Sequence, residues 1–286
     1  MTSPVALTRA DGHRVQLKWH MLRRQVDDIP FGVVNLRAGI AAGASIEIDI
    51  QRTADDDWVV LHDDQLDHET TGSGPVSALN SKDVPNLAMR APDKGKPVAP
   101  VLLLSDVISE LSASTPGKGL ILQCDLKTPL AEISDAAAGR FCDLVSPTAE
   151  HCVLSGADWP AVEELGADVE GLCLGFDPLE LFPSDWTSFP QTAAAMDDFV
   201  QRSLSVAPTA RWIYLYFRLV LAAMDLGVDI VGRAQALGQK VDVWTLDPSD
   251  DSKSVVKRLV DLGTDQISTN APDAWAAWWR SETSVA

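Results

Sequence analysis

The sequence is short of basic residues, with 23 Lys and Arg against 41 Asp and Glu among 286 residues and a formal net charge of −18. Nucleic acids and anionic membrane surfaces attract proteins through clustered positive charge, so this balance argues against both as partners. An acidic surface also repels small phosphate-containing molecules. A ligand of that kind would therefore need a local cation at its binding site.

Long apolar runs and paired cysteines are also missing. No apolar run reaches the roughly 18 residues of a membrane-spanning helix, and residues 1–14 lack the apolar segment of a secretory signal. The four cysteines have no CxxC spacing, which argues against a zinc site, and three of them lie in apolar runs typical of buried thiols. We therefore expect a cytoplasmic protein without stable membrane insertion. Its oligomeric state is not indicated by the sequence.

The most informative stretch begins at Ser45 and ends at Asp63. Residues 45–50 alternate, which predicts a strand with three isoleucines on one face and the carboxylates Glu47 and Asp49 on the other. Side chains two apart on a strand lie about 7 Å from each other, close enough to share one divalent cation. A second short apolar run then ends in His62 followed by Asp63. The same pattern is also compatible with a solvated edge strand that carries acidic residues.

The run from Glu47 to His62 resembles the signature of the glycerophosphodiester phosphodiesterases, which reads E-x-D, T-x-D-G, a hydrophobic pair and H-D. The match has no gap, and Asp56 stands at the position of the family glycine. Residues 66–74 continue the similarity to the family's L-D-R-T-T-x-G-x-G. The family's first histidine stands 27 residues before the glutamate, and that position is His20 in this chain.

A third alternating strand is predicted over residues 119–127. It ends in Asp125 and Lys127, where the family has E-x-K. The exchange of Glu for Asp shortens the carboxylate arm by about 1.5 Å, which weakens a third metal contact without excluding it. Without the resemblance, this pair would be read as an ordinary surface pair.

Two later segments are also similar to family strands. Residues 240–246 resemble V-x-V-W-T-V, in which the tryptophan walls the family's pocket, and Trp244 stands at that position. On its own, a tryptophan in a strand is more often a core residue. Residues 263–272 match G-x-D-x-I-x-T-D-x-P, except that Asn270 replaces the Asp.

Strands and helices alternate along the whole chain in about eight steps, with no break in composition. This rhythm predicts an α/β protein with a single (β/α)₈ TIM barrel over residues 1–286. Loop insertions are expected after strand 2 and after strand 5, because residues 64–100 and 176–207 are rich in turn residues. Helices are predicted over residues 31–42, with an end at Gly43, and over residues 130–144, and a strand over residues 169–174. Residues 212–221 are apolar on all sides and fit either a helix or a buried strand. In such a barrel, catalytic residues collect at the carboxyl ends of the strands.

The resemblance implies a metal-dependent phosphoric diester hydrolase. Its substrate would be a small-molecule glycerophosphodiester or related diester, cleaved to an alcohol and a phosphomonoester such as glycerol 3-phosphate. Imidazoles titrate near neutral pH and suit acid–base catalysis, whereas carboxylates suit hard cations such as Mg²⁺ or Ca²⁺. The expected residues are His20 and His62 as the catalytic pair, Glu47, Asp49 and Asp125 as metal ligands, and Lys127 and Trp244 as substrate-binding groups.

The chain departs from the family after the first histidine. The family has Arg-Gly there, whereas this chain has Met21 and Leu22, so the phosphate-binding arginine is missing. Arg23 and Arg24 are the candidates to replace it. We expect the exchanges at Met21 and Asn270 to change substrate choice rather than chemistry, because neither side chain ligates a hard cation well or transfers a proton near pH 7.

Two alternatives follow from these departures. One is a phospholipase D-like enzyme acting on lysophospholipid or sphingolipid, which exposed aromatic residues around Trp186 and Phe189 would favour. The other is a catalytically silent barrel that binds a ligand or partner, which the missing arginine favours.

Overall fold

The computed structural model describes residues 6–91, 97–181 and 189–283. Eight parallel strands form a closed barrel, because the first strand pairs with both the second and the eighth. The predicted (β/α)₈ barrel is therefore confirmed. Its strands are β1 Arg14–Trp19, β2 Ser45–Arg52, β3 Ile121–Leu126, β4 Cys152–Gly156, β5 Cys173–Phe176, β6 Trp212–Tyr216, β7 Lys240–Trp244 and β8 Gln266–Thr269.

Helices connect these strands on the outside of the barrel. They are α1 Val33–Ala42, α2 Leu104–Ser112, α3 Asp135–Val145, α4 Trp159–Gly166, α5 Ala193–Val206, α6 Phe217–Asp225, α7 Ile230–Ala236, α8 Asp250–Leu262 and α9 Pro272–Thr283. Helix α1 ends at Gly43, whose φ of 65° is in the left-handed region where glycine is favoured. The expected helix end at Gly43 is thus confirmed.

The alternation of the strands separates the two faces of the barrel wall. Ile46, Ile48 and Ile50 are fully buried and pack outward in a hydrophobic cluster that also contains residues of the surrounding helices. Burial of each such side chain contributes about 1.5–3 kcal/mol. Glu47 and Asp49, between them in sequence, point the other way and line a cavity at the mouth of the barrel.

The insertion after β2 returns the chain to the barrel mouth. A strand at Trp58–Val60 runs antiparallel to β2 and pairs Val60 with Ile50, so the chain has come back to the level of Asp49 when it reaches His62. The remaining elements of the insertion are short: a helix at Leu66–Glu69, strands at Ala88–Arg90, Pro97–Pro100 and Leu102–Leu103, and 3₁₀ turns at Val76–Ala78 and Ser81–Asn86. Another strand, Ala6–Thr8, pairs antiparallel with β1.

The structure corrects several predicted boundaries. Residues 212–221 are neither all helix nor all strand, since they contain β6 and the start of α6. The helix expected at 130–144 starts at Asp135, because the Ser134 hydroxyl accepts the backbone N–H of Ala137 and caps it there. The strand expected at 169–174 lies at Cys173–Phe176 instead.

The insertion after β5 contains a 3₁₀ turn at Pro178–Leu181 and then α5. Trp186, on which the lipid alternative depended, lies outside the described residues. Phe189 is partly buried and its ring lies 6.4 Å from that of Tyr216. Within the described ranges, no helix is long and apolar enough to span a membrane.

Candidate active site

A cavity of about 490 Å³ opens at the carboxyl end of the barrel strands. It gathers side chains from β1, β2, β3, β7 and the loop after the Trp58–Val60 strand. All seven residues singled out in the sequence line it: His20, Glu47, Asp49, His62, Asp125, Lys127 and Trp244. Barrel geometry accounts for much of this meeting, because His20, Asp125, Lys127 and Trp244 lie at or just beyond the carboxyl ends of their strands. Glu47 and Asp49 lie within β2, on the face that points into the barrel.

Glu47 is held at the cavity by a strained turn that follows β1. Its Oε2 accepts the backbone N–H of Met21, and the carboxylate is only 3% exposed. Burial, followed by the charge of Asp49, raises the pKa of the Glu47 carboxyl well above its usual value. Met21 and Leu22 have φ values of 52° and 58°. L-residues rarely adopt this left-handed conformation, which costs about 1–3 kcal/mol each, and the family has glycine where Leu22 stands.

Asp49 and Asp125 are opposite each other on neighbouring strands and share one lysine. The Lys127 ammonium lies 3.0 Å from Asp49 Oδ1 and 2.7 Å from Asp125 Oδ2. Burial opposes the charge of Asp125, but Lys127 and the Ser155 hydroxyl, 2.6 Å from Oδ1, hold the pKa of its carboxyl below the usual value. Burial would lower the pKa of Lys127, but the two carboxylates keep it well above normal. Lys127 is therefore a cation at neutral pH.

The His20 imidazole is fixed by one hydrogen bond. Its Nδ1 lies 2.9 Å from Asn270 Oδ1, which leaves Nε2 as the other nitrogen of a ring that lines the cavity. Burial lowers the pKa of His20, although the charge of Asp49 and the bond to Asn270 act in the opposite direction. At neutral pH His20 is accordingly uncharged and can accept a proton.

His62 has a different partner. Its Nδ1 lies 2.9 Å from a carboxylate oxygen of Asp63, and its side chain is 44% exposed. The backbone on both sides is held in place, since the Gln51 amide donates to the carbonyls of Leu61 at 2.9 Å and of Asp63 at 2.8 Å. Oε2 of Glu69 also accepts the backbone N–H of His62 at 2.9 Å. The two histidines therefore differ in their surroundings: Nδ1 of His20 faces an amide oxygen in a buried site, whereas Nδ1 of His62 faces a carboxylate at the exposed rim.

The floor of the cavity is polar, whereas TIM-barrel interiors are usually filled by branched apolar side chains. Lys18 is 2% exposed; its ammonium donates to Gln123, lies 3.2 Å from Asp242 Oδ2 and is 4.5 Å from the centre of the Tyr214 ring. Ser268 donates to Asp242 at 2.6 Å. The sequence motifs assigned these residues no role. Their alternation places Lys18 on the face of His20 and Gln123 on the face of Asp125, so position on a shared strand face was the available signal.

Comparison with known proteins agrees with the motifs. Residues 34–137 match the glycerophosphoryl diester phosphodiesterase family. This match confirms the family resemblance inferred from the motifs. The family belongs to the phosphoric diester hydrolases, which is the enzyme class expected from the sequence. No curated protein matches the chain.

Three solved structures of similar fold are named as phosphodiesterases, two of them as glycerophosphodiester phosphodiesterases. A glycerophosphodiester phosphodiesterase from Parabacteroides distasonis is 16% identical, with a TM-score of 0.67, over 95% of this chain and 99% of that one. One from Agrobacterium tumefaciens is 18% identical, with a TM-score of 0.64, over 93% and 99%. A phosphodiesterase from Oleispira antarctica, in complex with the product sn-glycerol-3-phosphate, is 18% identical, with a TM-score of 0.63, over 90% and 93%. At these identities the likeness shows the fold.

The family resemblance implies a divalent cation, and the carboxylates of the cavity can be tested against it. Both carboxylate oxygens of Asp49 are buried, and among the described residues neither has a partner with full hydrogen-bond geometry, although the Lys127 ammonium lies at ion-pair distance from Oδ1. Glu47 likewise lies in a site where burial disfavours its own charge. A hard cation would satisfy both groups. Asp125 fits less well as a ligand, since both its oxygens already bind Ser155 or Lys127.

One other group of possible ligands lies at the rim. Within the described residues, His62, Asp63 and Glu69 are the group whose ligand atoms lie within 4.8 Å of one another. They already bind one another and the local backbone. This group supports the His62 side of the cavity and lies apart from the acidic pair of β2.

The two arginines that could replace the family's phosphate-binding arginine, Arg23 and Arg24, differ in their ion-pair partners. Arg24 donates to Asp273 at 2.6 Å and its guanidinium stacks 5.1 Å from the centre of the Trp19 ring. Among the described residues, the buried Nε of Arg23 has no hydrogen-bond partner, which is equally true of the Nε of Arg24. Burial lowers the pKa of the Arg23 guanidinium against the charges of Asp247 and Glu69. Because Arg24 already pairs with Asp273, Arg23 is the better placed of the two to bind an added anion.

Proposed function

We propose that this chain is a divalent-metal-dependent phosphodiesterase that cleaves glycerophosphodiesters, or closely related small diesters, to an alcohol and a phosphomonoester such as glycerol 3-phosphate. The observation that carries the proposal is that two histidines, three carboxylates and a lysine from separate parts of the chain line one cavity. The family match supports the same chemistry. The product complex of the Oleispira antarctica protein supports a glycerol phosphate as the product class.

Cleavage of a phosphodiester needs one group to remove a proton from the attacking hydroxyl and another to protonate the leaving alkoxide. His20 is held uncharged by burial, and no described residue forms a hydrogen bond with its Nε2, so it suits the proton acceptor. His62 has a carboxylate on Nδ1 and an exposed ring, so it suits the proton donor. The two would exchange roles if the reaction proceeds through a cyclic phosphodiester in a second step.

Glu47 and Asp49 would hold the cation, with Asp125 as a third ligand if it exchanges one of its present partners. A bound Mg²⁺ or Ca²⁺ would neutralise charge on the phosphoryl oxygens. Lys127 has three N–H donors and two carboxylate neighbours, so one donor remains for a phosphoryl oxygen. Trp244, whose ring lies 5.2 Å from that of Tyr216, would form an apolar wall for the rest of the substrate.

The test is release of glycerol 3-phosphate from glycerophosphocholine by metal-stripped protein, before and after Mg²⁺ or Ca²⁺ is added back. We expect no turnover without a cation and recovery with one. Glu47→Gln and Asp49→Asn should each remain inactive with added cation while their circular dichroism stays that of the native fold. Full turnover by metal-stripped protein would exclude the mechanism.

Lysophospholipid turnover belongs in the same experiment, because it distinguishes the phospholipase D-like alternative. If the folded protein cleaves neither glycerophosphodiesters nor lysophospholipids, the catalytically silent barrel is favoured. The cytoplasmic location and the single-domain organisation over residues 1–286 remain predictions from the sequence. Assaying the culture medium for secreted protein would test the location. Limited proteolysis would test the domain organisation.

A further inference from the structure

A chain of two side-chain hydrogen bonds runs from the cavity to the end of β7. Nδ1 of His20 lies 2.9 Å from Asn270 Oδ1, and Asn270 Nδ2 donates to Asp247 Oδ2 at 2.8 Å. The other oxygen of Asp247 accepts the backbone N–H of Asn270 at 2.8 Å and the hydroxyl of Thr269 at 3.1 Å. The Asp247 carboxylate is thus held by three donors from one short segment.

These contacts determine which atom donates and which accepts in each of the two side-chain hydrogen bonds. A carboxylate only accepts, so the amide of Asn270 must turn its NH₂ toward Asp247 and its oxygen toward His20. If the amide flipped, its oxygen would face a carboxylate oxygen at 2.8 Å. With the amide fixed, His20 Nδ1 must carry the proton, because an unprotonated Nδ1 would also face an acceptor. The lone pair of a neutral His20 is then on Nε2.

A structural role at the start of α9 does not explain Asn270. Asparagine before a helix usually caps it by accepting a backbone N–H of the first turn. Here the side-chain oxygen is used by His20 and the nitrogen by Asp247, while the Thr269 hydroxyl accepts the N–H of Ala271 at 3.1 Å. Both polar atoms of the Asn270 side chain therefore serve the link between His20 and Asp247.

We propose that Asn270 and Asp247 are positioning residues which hold His20 in the Nδ1–H tautomer, with the Nε2 lone pair available for proton transfer in the cavity. The catalytic meaning of this tautomer rests on the proposed function, whereas the tautomer itself does not. The sequence-based expectation that Asn270 affects substrate choice rather than chemistry is replaced by this inference. Asp247 had no sequence-based role.

The tautomer can be measured without substrate. Two-dimensional ¹H–¹⁵N spectra of ¹⁵N-histidine-labelled protein distinguish the two ring nitrogens, and a His20→Gln sample identifies the His20 signals. We expect the Nδ1–H pattern in the native chain and a shift toward the Nε2–H form in Asn270→Ala. Asp273→Asn is the matched control, because that carboxylate pairs with Arg24 instead. The His62 signals should not move in either variant.

A double-mutant cycle tests the pairing of amide and carboxylate. Asn270→Asp places two carboxylates against each other, and Asp247→Asn removes the group that orients the amide. Each single change should lower kcat by about 10- to 100-fold with a smaller change in KM, as is usual when the partner of a reacting group is lost. The double change again provides one carboxylate and one amide, so it should recover most of the lost kcat.

Two outcomes would overturn the inference. One is an Nε2–H pattern for His20 in the native chain, which needs no variant and so does not depend on any variant folding. The other is a double variant whose fold-loss in kcat is the product of the two single fold-losses, as expected for independent sites. If the native chain shows the Nδ1–H pattern but cleaves no diester, the proposed function fails while the positioning of His20 stands.

Discussion

Glu47→Gln is expected to make the metal-free protein more stable while it abolishes activity. The carboxylate is 3% exposed, and its Oε2 accepts the backbone N–H of Met21. A glutamine side chain has nearly the same shape, and its carbonyl oxygen can accept the same N–H. The exchange therefore removes a charge that burial disfavours and keeps the packing.

The size of the effect depends on pH. The pKa of the Glu47 carboxyl is raised well above its usual value of 4.5, first by burial and then by the charge of Asp49. A raised folded-state pKa contributes stability that is fully present below the unfolded-state pKa and is lost as the pH rises through the folded-state pKa. A tenfold difference in proton affinity between the folded and unfolded states corresponds to about 1.4 kcal/mol. Glutamine does not titrate, so the advantage of Glu47→Gln should grow from almost zero near about pH 4.5 to about 1–3 kcal/mol near about pH 8.

Thermal unfolding in EDTA, followed by circular dichroism across this pH range, measures the difference. In domains of roughly 150–250 residues, 1 kcal/mol shifts Tm by about 2–4 °C. The matched control is Asp242→Asn, which is also a carboxylate-to-amide exchange inside the barrel. Asp242 is paired with Lys18 at 3.2 Å, with both side chains almost fully buried. Its loss would leave the lysine uncompensated and should cost about 3–5 kcal/mol.

The reasoning would be refuted by a Glu47→Gln variant that is less stable than the native chain at every pH. A difference that does not change with pH would refute it as well, because the effect would then come from packing. If Glu47→Gln and Asp242→Asn lower the free energy of unfolding equally, pairing with a lysine does not decide how much a buried carboxylate contributes to stability.

Three further predictions concern the same cavity. His20→Ala and His62→Ala should each lower turnover by about 10²–10⁴-fold in steady-state kinetics, because each removes a proton-transfer group. His151→Ala, at the start of β4 and the opposite end of the barrel, should leave turnover unchanged, and a similar loss in all three would contradict the assignment. Arg23→Ala should raise KM for anionic diesters more than Arg24→Ala, because the Arg24 guanidinium is already paired; equal effects would show that neither binds the phosphate. Added Mg²⁺ or Ca²⁺ should raise Tm more near about pH 8 than near about pH 5.5, since a bound cation offsets the buried negative charge, and a pH-independent rise would argue against binding at Glu47.

Much of the fold and the predicted site could be read from local patterns. Alternation with a period of two is a property of one strand, so the inward face of β2 was correctly predicted without knowledge of its neighbours. The positions of His20, Glu47 and His62 followed from spacing within a motif. Because a parallel barrel brings all carboxyl strand ends to one face, residues at those ends could be expected to meet.

The element boundaries that the sequence left open or placed wrongly were those where short-range signals compete. Residues 212–221 are apolar except for Arg218, because β6 is buried on both faces and α6 continues directly from it. Neither periodicity shows in such a run, so only the packed structure separates the two elements. The start of α3 depended on a single capping serine.

The sequence by itself determined which side chains face the barrel mouth, because that follows from strand periodicity and from the direction of the chain. Only the tertiary structure decided which of them touch. Asn270 meets His20 across 250 positions of sequence, and Lys127 lies between two carboxylates from neighbouring strands. These contacts depend on the register in which β1 closes against β8 and β2 against β3, and that register is set by the packing of the whole barrel rather than by any one segment.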